Sequence, residues 1–357
     1  MVTPSSPTLP CETGRLRRQL LHWYDGARRS LPWRAMPGEA ADPWAVLLSE
    51  VMLQQTTVGT VKGRYDAFLA RFPDARSMAE APLDDVLHAW QGLGYYRRAR
   101  GLHALAVAVA ERHRGRLPED PEALAALPGL GPYTVAAVRA IAFGARVLPV
   151  DGNVARVLAR LAEVSTPLPA AMPVLRRLAA GLAGGDRPGD LAQALIELGA
   201  LICRPRAPAC LACPWRDSCR AHRAGTAATL PRKAAAKVRP LRHATAFLVE
   251  RDDGAVLFRR RPPTGLLAGM VELPSTAWRE GDGPGLAEAL REAPAGQGWA
   301  ALPGQVTHVF THLTLRVTVV RGRAREAADG IWRRPDGLGD LALPTLTRKL
   351  LRHAGIG

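Results

Sequence analysis

The hydrophobic period changes once along the chain, and this change limits which folds are possible. As far as about residue 220, apolar residues recur every three to four positions, the spacing of one face of an α-helix. The clearest segments are LRRQLLHWYDGA, PWAVLLSEVMLQQTTV, LDDVLHAWQGL, RRARGLHALAVAVAERH and DLAQALIELGALIC. Beyond residue 240, ATAFLVE, AVLFRRR and LTLRVTVVRG have the pattern of β-strands, with short helices near GLAEALREA and TLTRKLLRH. The sequence predicts a mainly α domain followed by a smaller α+β domain.

A stretch of small and basic residues between the two patterns is typical of a linker. We therefore divide the chain into a flexible N-terminal tail (1–13), a helical domain (14–222), a linker (223–240) and an α+β domain (241–357). Cys11 lies in the tail with no apolar run before it, and we interpret it as a free thiol rather than a lipid anchor.

The chain is strongly basic, with 48 Lys and Arg against 32 Asp and Glu and a net charge of +16. A GC-rich genome explains Arg in place of Lys, but not an excess of both over acids. A polyanionic partner, such as nucleic acid, is favoured. Because the sequence has neither a transmembrane-length apolar run nor a signal peptide, we expect a soluble cytoplasmic protein, nucleoid-associated in a bacterium.

Four of the five cysteines fall within seventeen residues, in CRPRAPACLACPWRDSC. Cys203, Cys210, Cys213 and Cys219 have C-x6-C-x2-C-x5-C spacing. In a reducing compartment these are ligands rather than disulfides. Structural zinc sites usually have two C-x2–4-C pairs, whereas this loop has one pair and two longer arms. The spacing favours a [4Fe–4S] cluster, with zinc as the alternative.

A glycine-rich turn, LPGLGPYT, precedes an amphipathic helix. Gly129 and Gly131 permit a tight turn, and Pro132 suits the first position of a helix. Free N–H groups at such a helix start bind phosphate without regard to base sequence, although a plain helix–helix turn is an equal alternative. Further on, VDGNVARVL places Asp151 before another helix, where it suits an N-cap, and Asn153 is either its hydrogen-bond partner or a cap itself.

Glu50 is the single charge in LSEVMLQQTTV, a helical stretch that is otherwise largely apolar. Burying an unpaired carboxylate costs several kcal/mol or forces the group to take up a proton. Glu50 is therefore either an incidental residue on the polar edge of the helix or a proton donor kept in a dry place.

Along the chain the SEVMLQQT helix comes first, then LPGLGPYT with VDGNV, then the cysteine loop. This combination resembles the helix–hairpin–helix DNA glycosylase superfamily and, within it, the MutY family of adenine DNA glycosylases. The resemblance covers nearly the whole chain. It implies a two-lobed helix–hairpin–helix glycosylase domain with an iron–sulfur cluster loop, followed by a NUDIX-like domain. It also implies that Glu50 protonates the departing adenine and helps activate water, while Asp151 stabilises the sugar cation.

The resemblance also suggests a monofunctional enzyme that leaves an abasic site. At the position of Tyr133, the related endonuclease III enzymes have a lysine that forms a Schiff base with the sugar. Tyrosine cannot do this chemistry, and this is why we expect no lyase activity. Because its position matches that of the catalytic lysine, we place Tyr133 in the catalytic site with Glu50, Asp151 and Asn153.

Further residues match positions that bind DNA in the family. Trp33 and Arg34 are expected at the adenine pocket, Gln193 at the base edge, and Leu53 among the residues that bind substrate or DNA. Gln55, Thr56, Leu93 and Tyr95 are expected to fill the gap left by the extruded base, and Gly129 and Gly131 to bind phosphate. The stretch between Arg34 and Glu50 carries PGEAA as extra loop.

In the NUDIX-like domain, Phe310, Thr311 and His312 stand where the family commonly has Phe-Ser-His in contact with 8-oxoguanine. Leu267 and Val271 replace bulkier aromatic residues. The acidic NUDIX motif is missing, so the resemblance predicts a recognition domain rather than a pyrophosphatase.

The expected function is base-excision repair of adenine opposite 8-oxoguanine or guanine in double-stranded DNA, by a monomer that carries a [4Fe–4S] cluster. An endonuclease III-like pyrimidine glycosylase is one alternative. A non-catalytic DNA-binding or redox-sensing iron–sulfur protein is the other.

Overall fold

The structure is a computed structural model. It describes residues 7–36, 39–234, 238–262, 264–324, 329–341 and 343–356. Parts of four predicted segments lie outside these ranges. They are residues 1–6 of the tail, Pro37 and Gly38 of the extra loop, residues 235–237 of the linker and Pro263 before Leu267.

The chain forms two compact units, and the boundary differs from a single cut at a linker. One unit comprises Met1–Ala81 and Gly101–Ala236, and the other comprises Pro82–Arg100 and Lys237–Gly357. A helical segment from the middle of the predicted helical domain therefore belongs to the same unit as the β-sheet.

The helices of the first unit follow the predicted pattern closely. They are α1 (Thr13–Ala27), α2 (Pro43–Leu53), α3 (Val58–Lys62), α4 (Tyr65–Arg71), α5 (Ala75–Glu80), α8 (Pro121–Ala125), α9 (Pro132–Ile141), α10 (Gly152–Leu161), α11 (Met172–Leu182), α12 (Pro188–Leu201) and α13 (Arg220–Arg223). Helix α7 (Arg97–Arg112) begins in the second unit and continues into the first from Gly101. Leu9 and Cys11, from the predicted tail, pack against the core of this unit. None of the helices within the described ranges combines the length and apolarity needed to cross a lipid bilayer.

Helix α2 is shorter than the predicted apolar segment, and its two ends explain why. Asp42 caps the start, since its Oδ1 accepts a hydrogen bond from the Trp44 N–H at 2.7 Å, and Pro43 is the first helical residue. The helix ends at Leu53, and Gln55 then takes a left-handed φ of 57°, which stops its continuation. Nearly every side chain of α2 is buried.

The second unit is a mixed sheet flanked by short helices. Its central pair, β1 (Leu241–Glu250) and β7 (Thr314–Arg323), runs parallel, and the sheet order is β3-β2-β1-β7-β5. The remaining elements are α6 (Leu83–Ala89), β2 (Val256–Arg260), β3 (Val271–Glu272), β4 (Arg279–Glu280), α14 (Leu286–Ala289), β5 (Gln297–Ala301), β6 (Val306–Val309), β8 (Ile331–Arg333) and α15 (Thr345–His353). Val309 pairs with Thr314, so residues 310–313 form the turn between β6 and β7.

Candidate functional site

A cleft of about 450 Å³ in the first unit brings together Glu50, Tyr133, Asp151 and Asn153. Glu50 comes from the buried helix α2, Tyr133 from the first turn of α9, and Asp151 from the start of α10. The residues predicted to be catalytic are thus separated along the chain but line one cavity. Its volume falls within the range of small-molecule sites.

Glu50 is held in a dry environment, with only 8% of its surface exposed. Burial raises the pKa of its carboxyl group to about 7, and the negative charge of Asp151 adds to this rise. A hydrogen bond with Tyr133 and the charge of Arg34 oppose the rise without cancelling it. A substantial fraction of Glu50 therefore holds a proton near neutral pH, which is the behaviour of a general acid.

Tyr133 remains a neutral hydroxyl. Burial raises its pKa well above the ordinary value, and the nearby Glu50 and Asp151 carboxylates raise it further. Its hydroxyl is hydrogen-bonded to the Glu50 carboxyl group, so the two side chains meet within the cleft.

Asp151 caps α10 and is fixed by both of its oxygens. Oδ1 accepts from the Val154 N–H at 2.7 Å, and Oδ2 accepts from Asn153 Nδ2 at 3.0 Å. Asp151 can both cap α10 and line the cleft, because a cap residue lies at the exposed start of its helix. Asn153 is the partner of Asp151 rather than a cap.

The side chain of Asn153 is in turn held by Arg156. Its Oδ1 accepts from Arg156 Nη2 at 2.8 Å, while Arg156 Nε donates to the Cys203 carbonyl at 2.7 Å. A Cβ added to Gly199 on α12 would lie 2.7 Å from the Asn153 Cβ, so close packing here requires glycine. The side chain that orients Asp151 is thus connected by hydrogen bonds to the cysteine loop.

Glu197, on α12, also lines the cleft but was not predicted from the sequence. It is fully buried, with its oxygens 2.5 Å from Arg29 Nη2 and 2.9 Å from Arg34 Nη1. Burial would raise its pKa, but hydrogen bonds and charge from both arginines outweigh burial and lower the pKa to about 2. The cleft therefore holds two buried glutamates with opposite preferences: near neutral pH a substantial fraction of Glu50 is protonated, whereas Glu197 is ionised.

Replacing Glu197 with Gln is expected to destabilise the first unit by about 3–5 kcal/mol, because the substitution leaves Arg34 partly buried without its counter-charge. The native contribution is present above the unfolded pKa of 4.5 and is lost as pH falls towards 2, so the variant should show a weaker loss of stability with acid. Urea unfolding between pH 7 and pH 3 measures this. Glu111→Gln, which removes an exposed carboxylate from α7, is the control, and equal stability of the two variants at pH 7 would contradict the prediction.

Six residues that were predicted to bind substrate or DNA also line the cleft: Trp33, Arg34, Leu53, Gln55, Thr56 and Gln193. Gln193 Nε2 donates to the Gly189 carbonyl at 3.3 Å. Gln54, which was not predicted, lines the same cleft and its Nε2 donates to Thr134 Oγ1 at 3.2 Å.

The predicted glycine turn has one position that requires glycine for its conformation. Gly129 has a φ of 78°, and a Cβ there would lie 3.5 Å from the Gly101 Cα. Gly131 is extended and is the N-cap of α9, where no side chain caps the helix. Gly131 therefore offers no side-chain acceptor to the first N–H groups of α9, as suits a phosphate-binding turn.

In the second unit, the structure joins two segments predicted to contact DNA. Tyr95 is 51% exposed, and its hydroxyl lies 3.3 Å from Thr311 Oγ1. Leu93, the other predicted wedge residue of this segment, is only 4% exposed and packs inside the unit. Phe310 stacks on Trp278 at 5.5 Å, while Thr311 and His312 are exposed.

The four cysteines of the loop line one cavity of about 30 Å³ in the first unit. Arg160, also at this cavity, is buried; its Nη1 donates to Cys203 Sγ at 3.3 Å and to the Arg204 carbonyl at 2.7 Å. Within the described residues, no three His, Cys, Asp or Glu side chains meet closely enough to hold a single metal ion. Four sulfurs around a shared cavity, with a cation against one of them, are a donor set that fits an iron–sulfur cluster.

Comparison with known proteins identifies two domains. Residues 48–180 match the family model of HhH-GPD superfamily base excision DNA repair proteins, and residues 245–353 match the NUDIX domain. The human adenine DNA glycosylase is 35% identical across 91% of this chain and 70% of its own length. The adenine DNA glycosylase of Mycolicibacterium smegmatis is 43% identical across 56% of this chain and 69% of its own.

Two solved structures share the fold of the helical domain. A thermostable thymine-DNA glycosylase superposes with a TM-score of 0.54 at 31% identity, covering 59% of this chain and 97% of that one. An endonuclease III–DNA covalent intermediate gives a TM-score of 0.50 at 21% identity, covering 60% and 99%.

Proposed function

The chain belongs to the adenine DNA glycosylase family, and from this premise we propose that it hydrolyses the N-glycosidic bond of adenine opposite 8-oxoguanine or guanine. One observation carries the proposal. Glu50 and Asp151 line the same cleft, and the pKa of Glu50 is raised to about 7. An acid and a carboxylate on either side of a glycosidic bond form the general arrangement for reactions through an oxocarbenium-like state.

The proposed reaction begins with extrusion of adenine from the duplex into the cleft, which costs a few kcal/mol of unstacking. Glu50 then donates its proton to the adenine ring, so that the base leaves as a neutral molecule. The Asp151 carboxylate stabilises the positive charge that develops on the sugar. Water adds to the sugar, with Glu50, now ionised, accepting its proton, and an abasic site remains.

The same cleft supports a monofunctional enzyme. A lyase reaction needs an amine that forms a Schiff base with the sugar. Among the described residues that line the cleft there is no lysine, and Tyr133 is held neutral against Glu50. We therefore expect borohydride to trap no covalent complex between the protein and abasic DNA.

Recognition of 8-oxoguanine is assigned to the turn between β6 and β7 in the second unit. Thr311 and His312 are exposed there, and Phe310 is anchored by Trp278. Thr311 keeps the hydroxyl of the serine that is common in the family and adds a methyl group. Leu267 packs against the core of this unit and Val271 is buried, so these two departures alter the support of the turn rather than its exposed residues.

The proposed partner is double-stranded DNA, bound by a monomer in the bacterial nucleoid. The net charge of +16 and the uncapped start of α9 both support contact with phosphates.

We propose a [4Fe–4S] cluster held by Cys203, Cys210, Cys213 and Cys219. Protein purified without oxygen should contain about four irons and four acid-labile sulfides per chain, and Cys213→Ser should lose most of both. Cys11→Ser is the matched control, because Cys11 is the cysteine that does not line the cavity. One equivalent of zinc and no sulfide would establish the zinc alternative.

Single-turnover excision tests the function on duplexes with adenine opposite each normal base and opposite 8-oxoguanine. We expect the highest rate opposite 8-oxoguanine and the next opposite guanine. Release of oxidised pyrimidines instead would establish the endonuclease III-like alternative. Tight binding without release of any base would establish a non-catalytic protein.

The excision rate should depend on pH with the sign of a general acid. Because burial raises the pKa of Glu50 to about 7, its protonated fraction falls as pH rises through that value. The single-turnover rate constant should level off below about pH 6, should fall roughly twofold between pH 6 and 7, and should fall about tenfold per pH unit well above 7. A rate constant unchanged up to pH 9 would exclude Glu50 as the proton donor.

A further inference from the structure

The segment between α6 and α7, residues 90–96, has an unusual backbone. Gly92 and Gly94 have φ values of 86° and 67°, and the intervening Leu93 is buried. Tyr95 has a φ of 46°, although it carries a side chain. A left-handed residue other than glycine is strained and persists only when its surroundings hold it.

Two side chains hold loop 90–96 through its carbonyl groups. Trp90 Nε1 donates to the Gly94 carbonyl at 3.0 Å. Arg98, from the first turn of α7, donates through Nη2 to the Leu93 carbonyl at 3.0 Å and to the Gly94 carbonyl at 3.2 Å. Both acceptors of Arg98 thus lie directly before the left-handed Tyr95.

The same guanidinium also contacts the aromatic rings on either side of this turn. Arg98 Cζ lies 5.2 Å from the centre of the Trp90 ring and 5.7 Å from the centre of the Tyr95 ring. Trp90 is fully buried and fixes one side, whereas the Tyr95 ring is half exposed. A planar cation can donate to carbonyls and contact two rings at once, which an ammonium group cannot do with the same geometry.

We propose that Arg98 is a positioning residue that holds Tyr95 in place for recognition of the damaged mispair. The proposal rests on the proposed function, in which Tyr95 contacts DNA beside the lesion. Arg98 fixes the backbone on one side of Tyr95, and Thr311 contacts its hydroxyl on the other. With the Tyr95 ring already in position, less conformational freedom is lost when DNA binds. The resulting gain in binding free energy is largest for a mispair whose damaged base also contacts Thr311.

Arg98→Lys tests this role because it keeps the charge and removes the forked geometry. Arg97→Ala is the matched control, since it removes the charge of an exposed neighbour on the same helix turn. In the free protein, hydrogen exchange in peptides covering residues 90–96 should become faster in Arg98→Lys and stay unchanged in Arg97→Ala. In single-turnover excision, Arg98→Lys should reduce the preference for 8-oxoguanine over guanine by about tenfold, whereas Arg97→Ala should preserve it.

The outcomes separate the inference from the function on which it rests. Unchanged exchange in Arg98→Lys would overturn the proposed role of Arg98, whatever the enzyme excises. Faster exchange with an equal loss of rate on both mispairs would also overturn it, because a purely structural defect has that signature. If the wild type excises no adenine, the proposed function fails, and with it the recognition role, even when exchange shows that Arg98 holds the loop.

Discussion

Glu50→Gln is expected to lower the single-turnover rate of adenine excision by about 10³-fold while leaving DNA binding largely intact. Glutamine has nearly the same shape but cannot donate a proton to the leaving base, and general acid catalysis typically contributes 10²–10⁴-fold. Binding should survive because Glu50 is 92% buried in the free protein and contributes little to the charge facing DNA. Rapid-quench excision and a parallel binding titration measure the two quantities separately.

The stability of the same variant distinguishes catalysis from structure. A carboxyl group whose pKa is raised mainly by burial is destabilising when ionised, so its replacement by a neutral amide should leave thermal stability equal or higher at pH 8. Lost excision with unchanged or increased stability would identify Glu50 as a catalytic acid. Excision within a few-fold of the wild type would remove it from that role.

Asp151→Asn should lower the excision rate by about 10²–10³-fold, because it removes the negative charge that stabilises the developing sugar cation. Asparagine is also a good N-cap, so it can still accept from the Val154 N–H at the start of α10. The new amide would face Asn153 Nδ2, which now donates to Asp151, and this conflict should cost some stability.

Asp120→Asn is the matched control for the cap. Asp120 caps α8 by accepting from the Ala123 N–H at 2.8 Å, and it does not line the cleft. It should lose little stability and no activity. If Asp151→Asn retained normal excision, Asp151 would be a helix cap and nothing more.

The sequence predicted the elements and much of the cleft, for an identifiable reason. A lone charge among apolar residues in LSEVML left two interpretations of Glu50, a polar edge or a buried acid, and the family resemblance favoured the second. Glu50 is buried in the cleft. ALIELGAL carries the same signal for Glu197, and a search for every lone acid on an apolar helix would have found it. Its partners Arg29 and Arg34 could not be inferred, because the ion pairs span more than 160 residues of chain.

Other features depend on packing that no local pattern reveals. Gly199 looks like an ordinary weak position in α12, and only the approach of Asn153 shows why a side chain does not fit. The burial of Leu93 beside the exposed Tyr95 likewise follows from how loop 90–96 folds. Spacing grouped the four cysteines, because residues that are close in sequence stay close in space, and all four line one cavity.

The composition of the second unit has a practical consequence for truncation experiments. The chain passes from one unit to the other at three peptide bonds, after Ala81, Arg100 and Ala236. A cut in the linker therefore does not separate the two units. A shortened protein ending there would still carry residues 82–100, but Asp84 would lack Arg260 and Gln91 would lack Arg348. If such a fragment recognised damage poorly, the cause could therefore be the loss of support for residues 82–100 as much as the loss of the sheet.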